Sequence, residues 1–557
     1  MKMARSQVSC RPLLITLGLT LLTSALAQES NAPQAPPPTA GFRIAGTVVN
    51  SLGGSPLARA RVTIEDARNP GNILTAISSE DGTFQIRHVP AGKYGLTGAK
   101  SGFIPASYEQ HGQFSTAIVT GNGFDTEHLV LRLAPFAVVC GKVLDESGEP
   151  VRHARVVLYR EDRRIGVEQV QRIRAEKTDD QGTYEFSGLP EGTYFLSASA
   201  TPWYAFHRPL SLAQSEESSQ DLDQSLDVAY PLTYYKDVTE ADESLPIPLR
   251  GGDRLEADLH MSPVRALHLL FRVPGNGQNG FTVPMLQKPT LDGLEFVSNQ
   301  APQMISPGLY ALTGIAPGAY SVRLPGVGEQ APVDIDIDIS KDGQELDTSR
   351  GEPASVVKAT VEAPGERTLP AGLSVALRNS KLRVVAWQQV TAKGEIEFGA
   401  VRPGNYEVIV LSPNRAYALT RISSQGSEIP GHTLNVTAGS ALNISLSVVG
   451  STMKVEGIVK RRNGKPVAGA MVVLIPQDPE SNRSLFRRDQ SDMDGSFSLP
   501  GVIPGTYTVV AIEDGWDLDW ASPGVIASYS QRGNPIKVAG RDGLMQLPEA
   551  IEVQPRH

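Results

Sequence analysis

The sequence predicts an all-β protein, built as a tandem array of about five antiparallel β-sandwich domains. Three observations carry that prediction. The 53 Gly and 41 Pro are spread along the chain rather than pooled, which suits many short strands joined by tight turns. Apolar residues recur with period two between those turns, so one face of each strand is buried. One strand–turn–strand pattern also recurs along the chain, which is the mark of a serial array. At 557 residues the chain is too long for a single core. Apolar residues make up 40% but aromatics only 6%, so the cores must be built mainly from Val, Leu, Ile and Ala.

The chain opens on residues that read as an export signal. Lys2, Arg5 and Arg11 form a positive stretch, Leu13 to Leu22 a short apolar run, and Ala25-Leu26-Ala27 a small-residue cleavage site, with cleavage placed after Ala27. The apolar run is short for a membrane span. Residues 1–27 are thus a signal peptide, and the Pro-rich 28–41 an extended linker. Cys10 leaves with the signal, and Cys140 in "FAVVCGKV" reads as a buried small hydrophobe, so packing alone must hold each domain.

The repeat is clearest in three copies. One of them runs "VCGKVLDESGEPVRHARVVLYRE" and then "TDDQGTYEFSGLPEGTYFLSASA". Gly46, Gly141 and Gly457 interrupt β-rich strands, which suggests a bulge or a close backbone approach. The "DESGEP" and "RRNGKP" segments read as hairpin turns. Next comes an alternating strand with Ala154, Val156 and Leu158 on one face and Arg155, Val157 and Tyr159 on the other. Asp81-Gly82, Gln181-Gly182, Lys393-Gly394 and Asp494-Gly495 start a second hairpin. Gly-x-Tyr then recurs at Gly92/Tyr94, Gly192/Tyr194, Gly318/Tyr320, Gly404/Tyr406 and Gly505/Tyr507, each Tyr opening an inward stripe.

These residues resemble the carboxypeptidase regulatory-like domain family, a transthyretin-like (prealbumin-like) β-sandwich of carbohydrate-binding-like fold. The opening from Gly141 to Val156, the D-x-D-G turn and the P-G-x-Y close carry the resemblance. It is strong over 42–104, 136–200 and 452–515, and weaker over 264–352 and 353–450. The expected units are regulatory-like domains at 42–135, 136–262 and 451–557, with degenerate sandwiches at 263–352 and 353–450. The resemblance implies a secreted bacterial chain with no chemistry of its own.

The residues agree with a non-catalytic reading. None of the nine His has Glu three positions later, and no H-E-x-x-H, G-x-S-x-G or P-loop motif occurs. No cofactor is expected. The formal charge of −9 is interleaved, without a basic stripe, so nucleic acid is not an expected partner. Asp492-x-Asp494-Gly495 and Glu80-Asp81-Gly82 carry carboxylates that Ca²⁺ uses, but Asp and Gly also suit a tight turn, which is the favoured reading. Lys142 and Lys454 lie on first strands where related adhesin domains form isopeptide links, but no Asn partner is visible.

The candidate ligand-binding residues are aromatic: Trp203, Tyr204, Tyr234, Tyr235, Trp516 and Trp520, with Tyr108 beside them. Exposed rings stack on sugar faces, whereas buried rings cap a core. Capping is favoured for the set, with Trp516 and Trp520 the best exceptions because "EDGWDLDW" surrounds them with acids. The expected function is that of an exported binding or adhesion protein, secreted, periplasmic or at the cell surface. A carbohydrate or cell-envelope glycan is its expected partner. A structural spacer, or an accessory to a separately encoded exported hydrolase, is the alternative.

Overall fold

The computed structural model describes residues 41–121, 123–162, 169–207, 224–272, 284–297, 302–324, 332–347, 351–413 and 415–557. The segments read as signal peptide and linker, Ala27 included, lie outside the described residues, Gly41 apart. From Phe42 onward the chain forms sheets around five main hydrophobic cores in sequence order.

The second sandwich shows the plan. One sheet runs Thr183–Leu189, Ala137–Leu144, Arg254–Glu256. The other runs Gln169–Lys177, Arg155–Asp162, Gly192–Ser199, Thr233–Tyr234. Val139 and Val143 from the first sheet meet Val156, Leu158, Leu196 and Ala198 from the second. Each Val or Leu so buried contributes about 1.5–3 kcal/mol before entropy is counted. Most neighbours pair antiparallel, but the first strand pairs parallel with the closing strand in every sandwich, as Ala137–Leu144 does with Arg254–Glu256. That parallel partner explains two of the interrupting glycines, whereas at Gly457 a Cβ would meet the Phe497 ring of the antiparallel neighbour at 2.6 Å. A Cβ on Gly141 would lie 2.5 Å from the carbonyl oxygen of Ala257, and one on Gly46 only 2.1 Å from that of Leu129.

The expected hairpin at "DESGEP" is instead a crossover. Asp145 accepts the backbone N–H groups of Ser147 and Glu149, and a single bridge joins Leu144 to Pro150. The chain then passes to the opposite sheet, because Pro150 has no N–H to extend a ladder.

The Gly-x-Tyr motif has one geometric cause in all five sandwiches. Each Tyr hydroxyl donates to the carbonyl four residues earlier: Tyr94 to Pro90 at 3.2 Å, Tyr194 to Pro190 at 2.5 Å, Tyr320 to Ala316 at 2.7 Å, Tyr406 to Arg402 at 2.8 Å and Tyr507 to Ile503 at 2.7 Å. The bond pins the turn to the strand that leaves it. Gly404 takes a φ of +152°, which L side chains rarely adopt, and a Cβ on Gly505 would stand 3.2 Å from the Tyr507 ring, so glycine belongs at both.

Several strands among the described residues are buried on both faces, two of them by neighbouring layers. Val157 and Tyr159, on the outer face of Arg155–Asp162, pack with Phe195 against Leu291 of the third sandwich. Met471, Val473 and Ile475 in the fifth are covered by Trp520, Ile526 and Tyr529, around the α-helix Pro523–Ser530.

Phe42–His557 is one compact unit, and successive sandwiches touch throughout it. Gly252 bonds to Pro135, Val228–Ala229 pairs with Val264–Arg265, Arg402 reaches Asp334, and Arg415 reaches Asp542. The path of contacts then returns to its start. Lys93 in the first sandwich lies 2.8 Å from Asp492 and 3.4 Å from Asp494 in the fifth. No helix among the described residues is long and apolar enough to cross a membrane.

Candidate ligand cleft between the second and third sandwiches

A cleft of about 520 Å³ opens where the second and third sandwiches meet. Arg155, Lys177, Tyr230 and Leu232 line it from one side, and Lys288, Glu295, Phe296 and Tyr320 from the other. Glu295 is already engaged, by Arg155 and by Arg172 at 2.9 Å across the seam. Lys288 stands directly across the strand pair from Glu295 and is only 6% exposed. Its ammonium lies 5.2 Å from the centre of the Tyr320 ring. Burial lowers the Lys288 pKa, with Glu240 opposing that shift from a distance.

The rim is built by the loop that follows Gly192–Ser199. Thr201 and Pro202 line the cleft, and Trp203 comes next with 84% of its surface exposed. Tyr204 stands edge-on to Trp203, with ring centres 5.7 Å apart at 87°. The Tyr204 hydroxyl donates to Glu146, which also accepts from Tyr230 at 3.2 Å. Burial first, and then the Glu146 carboxylate, push the Tyr204 hydroxyl up to about 12. Against the cost of burial, the same hydrogen bonds hold Glu146 below the usual carboxylate range. The loop is thereby braced and the indole left free.

The profile of the carboxypeptidase regulatory-like domain family matches residues 43–122, 138–225 and 454–526. These three segments are carboxypeptidase regulatory-like domains. No curated protein matches the chain. Among solved structures, the chain is similar to the Bacillus anthracis TIE protein at 10% identity, covering 73% of this chain and 75% of that one with a TM-score of 0.18. A streptococcal ancillary pilin aligns at 11% identity over 52% of this chain and 100% of its own, TM-score 0.20. A minor pilin of Streptococcus agalactiae aligns at 11% identity over 40% and 97%, TM-score 0.21. Such scores leave the arrangement of the domains unmatched, and the reading of the cleft rests on this chain's own residues.

Of the aromatic candidates, Trp203 and Tyr204 of the second regulatory-like domain stand edge-on to each other, directly after the cleft-lining Thr201 and Pro202 in sequence. Tyr235 is half-buried against that domain's core, beneath Lys236 at 4.9 Å. Tyr234 is fully buried, and its hydroxyl has no hydrogen-bond partner among the described residues. Tyr108 packs against the core of the first domain.

Trp516 and Trp520 take a different place from that expected of exposed rings. Trp516 stacks on His111 of the first regulatory-like domain at 4.8 Å and 6°, and its Nε1 donates to Gly469 at 3.0 Å. Trp520 is 8% exposed. Between them sits Arg488, with its guanidinium 5.0 Å from the Phe114 ring centre, 5.5 Å from Trp516 and 4.5 Å from Trp520. Burial lowers the Arg488 pKa to about 10. Trp516, with His111 and Phe114, closes the seam between the first and third regulatory-like domains, whereas Trp520 is buried inside its own domain against Met471, Val473 and Phe486. Acids flank both tryptophans in sequence, but Trp516 is covered by His111 of the first domain and Trp520 by the core of its own.

Asp492 and Asp494 also serve that seam. Their carboxylates receive Lys93, and Asp492 accepts the Ala117 N–H at 2.9 Å. No group of three or more His, Cys, Asp or Glu with metal-binding geometry occurs among the described residues.

Proposed function

We propose that the chain is an exported, non-catalytic modular binding protein, whose second and third sandwiches offer a cleft to a carbohydrate or cell-envelope glycan. The observation that carries this reading is Trp203. A large apolar ring 84% exposed, directly after two cleft-lining residues and touching Tyr204, packs into no core among the described residues. An indole face stacks on the C–H face of a pyranose, and the polar groups behind it fix orientation.

The test is retention of the whole processed chain on a panel of neutral and acidic polysaccharides, beside Trp203→Ala. Wild type is expected to be retained on at least one polymer. The variant is expected to lose on the order of tenfold in affinity, the equivalent of about 1.4 kcal/mol. Retention of neither protein on any polymer removes the reading. A rigid structural spacer is the second reading, favoured by the contacts between the first and fifth sandwiches.

A further inference from the structure

We propose that the ligand of this cleft is anionic, an acidic oligosaccharide of the hexuronate class, and that Lys288 anchors its carboxylate. The proposal rests on the carbohydrate reading above and adds the charge of the ligand.

Three observations lead to it. First, Lys288 lines the cleft with 6% of its surface exposed, and no carboxylate lies within ion-pair distance among the described residues. A buried ammonium is stable only when paired or hydrogen-bonded. Second, its natural partner is taken. Glu295 sits opposite on the neighbouring strand but is drawn to Arg155 and Arg172. Third, the other lining charges leave an excess of positive sign. Arg155, Lys177 and Lys288 face the single carboxylate Glu295 on the lining, and Glu240 is the further acid that acts on Lys288 from outside it.

The apolar and polar parts are ordered for such a ligand. Trp203 beyond the rim offers a stacking face, and Tyr320 holds the Lys288 stem and ammonium in place. A sugar ring with a carboxylate on C5 presents both an apolar face and a charge.

The experiment measures affinity of the whole processed chain for oligogalacturonate and oligoglucuronate, and for the same oligomers after reduction of their carboxyl groups. The proteins are wild type, Lys288→Met, Lys288→Arg and Trp203→Ala. Wild type is expected to bind at least one acidic oligomer, and to weaken tenfold or more on carboxyl reduction and on Lys288→Met. Lys288→Arg is expected to recover part of the loss. Without ligand, Lys288→Met is expected to unfold at an equal or higher temperature, because a buried unpaired charge has been replaced by an apolar chain of similar length. That result separates lost binding from lost folding.

Equal binding of acidic and reduced oligomers, weakened by Trp203→Ala but not by Lys288→Met, overturns the anionic anchor and leaves the carbohydrate reading intact. Binding of none of the four oligomers by wild type overturns the anchor. If the neutral and acidic polysaccharide panel is also negative, the carbohydrate reading falls with it.

Discussion

Replacing Lys93 by Met should loosen the contact between the first and fifth sandwiches without unfolding either one. The ammonium lies 2.8 Å from Asp492 and 3.4 Å from Asp494, and also meets Ser496. The three charged side chains retain 30%, 20% and 26% of their exposure, so solvent screens the attraction only in part. A hydrogen bond to a charged group contributes about 1.5–3 kcal/mol, and exposure trims the pair toward the low end. The variant also leaves two carboxylates facing each other without a cation. A loss of about 2 kcal/mol in the local opening free energy follows, or roughly thirtyfold in the opening equilibrium. Global melting is a poor readout, since an array of sandwiches need not unfold in one step. Amide hydrogen exchange is the better one, at Ala117, whose N–H donates to Asp492, and at Met493, whose N–H donates to Ala117 at 3.2 Å.

The sign with pH follows from the shifts at the same contact. Its partners hold Lys93 above its ordinary value of 10.5 despite burial, so its contribution is full below that value and fades as pH rises through the higher folded one. Asp494 is held below 3.8 despite burial, so its contribution is full above 3.8 and fades as pH falls through the lower folded value. The Lys93 and Asp494 contributions to exchange at Ala117, corrected for intrinsic chemistry, should therefore be flat from about pH 5 to 10 in wild type, leaving Asp489 as the group that titrates between. If Lys93→Met leaves both amides within about threefold of wild type, the cation does not hold this contact and the account given for it is wrong.

Three further outcomes are expected. Asp489, pushed to about 6 chiefly by burial, should make the fifth sandwich less stable as pH rises through that value. Asp489→Asn should gain about 2–3 kcal/mol at pH 8 by amide hydrogen exchange within the fifth sandwich, with the gain vanishing below about pH 4. Tyr406→Phe removes the bond to the Arg402 carbonyl and should cost the fourth sandwich about 1 kcal/mol in urea unfolding; no change would mean that water replaces the hydroxyl freely. Gly46→Ala places a methyl 2.1 Å from the Leu129 oxygen and should cost the first sandwich several kcal/mol, on the order of 3 or more, with proteolysis confined to 42–135 as the measure.

Local pattern made the strands legible, and the partner surfaces were not. Ala154, Val156 and Leu158 are buried as their alternation required. Val157 and Tyr159 read as the outward face, yet both are buried, because the third sandwich sets Leu291 against them. No local signal distinguishes an outward Val that meets solvent from one that meets another domain. The same holds for Trp516, whose acidic neighbours in sequence suggested exposure while His111 supplied its cover. The tyrosines of Gly-x-Tyr were legible as closing residues, but the donation to the fourth preceding carbonyl was not, since a carbonyl is common to every residue type. The helix Pro523–Ser530 does carry a start signal, Pro at its first turn, but eight residues are too few for periodicity to declare it. Trp203 was a candidate by residue type, but the capping role favoured for it fails, since it is 84% exposed; Lys288 was not a candidate, because a lysine in "MLQKPT" looks like any solvated strand residue until its burial is known.

The return of the first sandwich to the fifth has a mechanical consequence. A string of sandwiches joined end to end would pass a pull on its two ends through every module in series. Here Phe42 and His557 belong to modules that touch, so tension between those residues loads the Lys93–Asp492 and Trp516–His111 contacts before it reaches the second, third or fourth module.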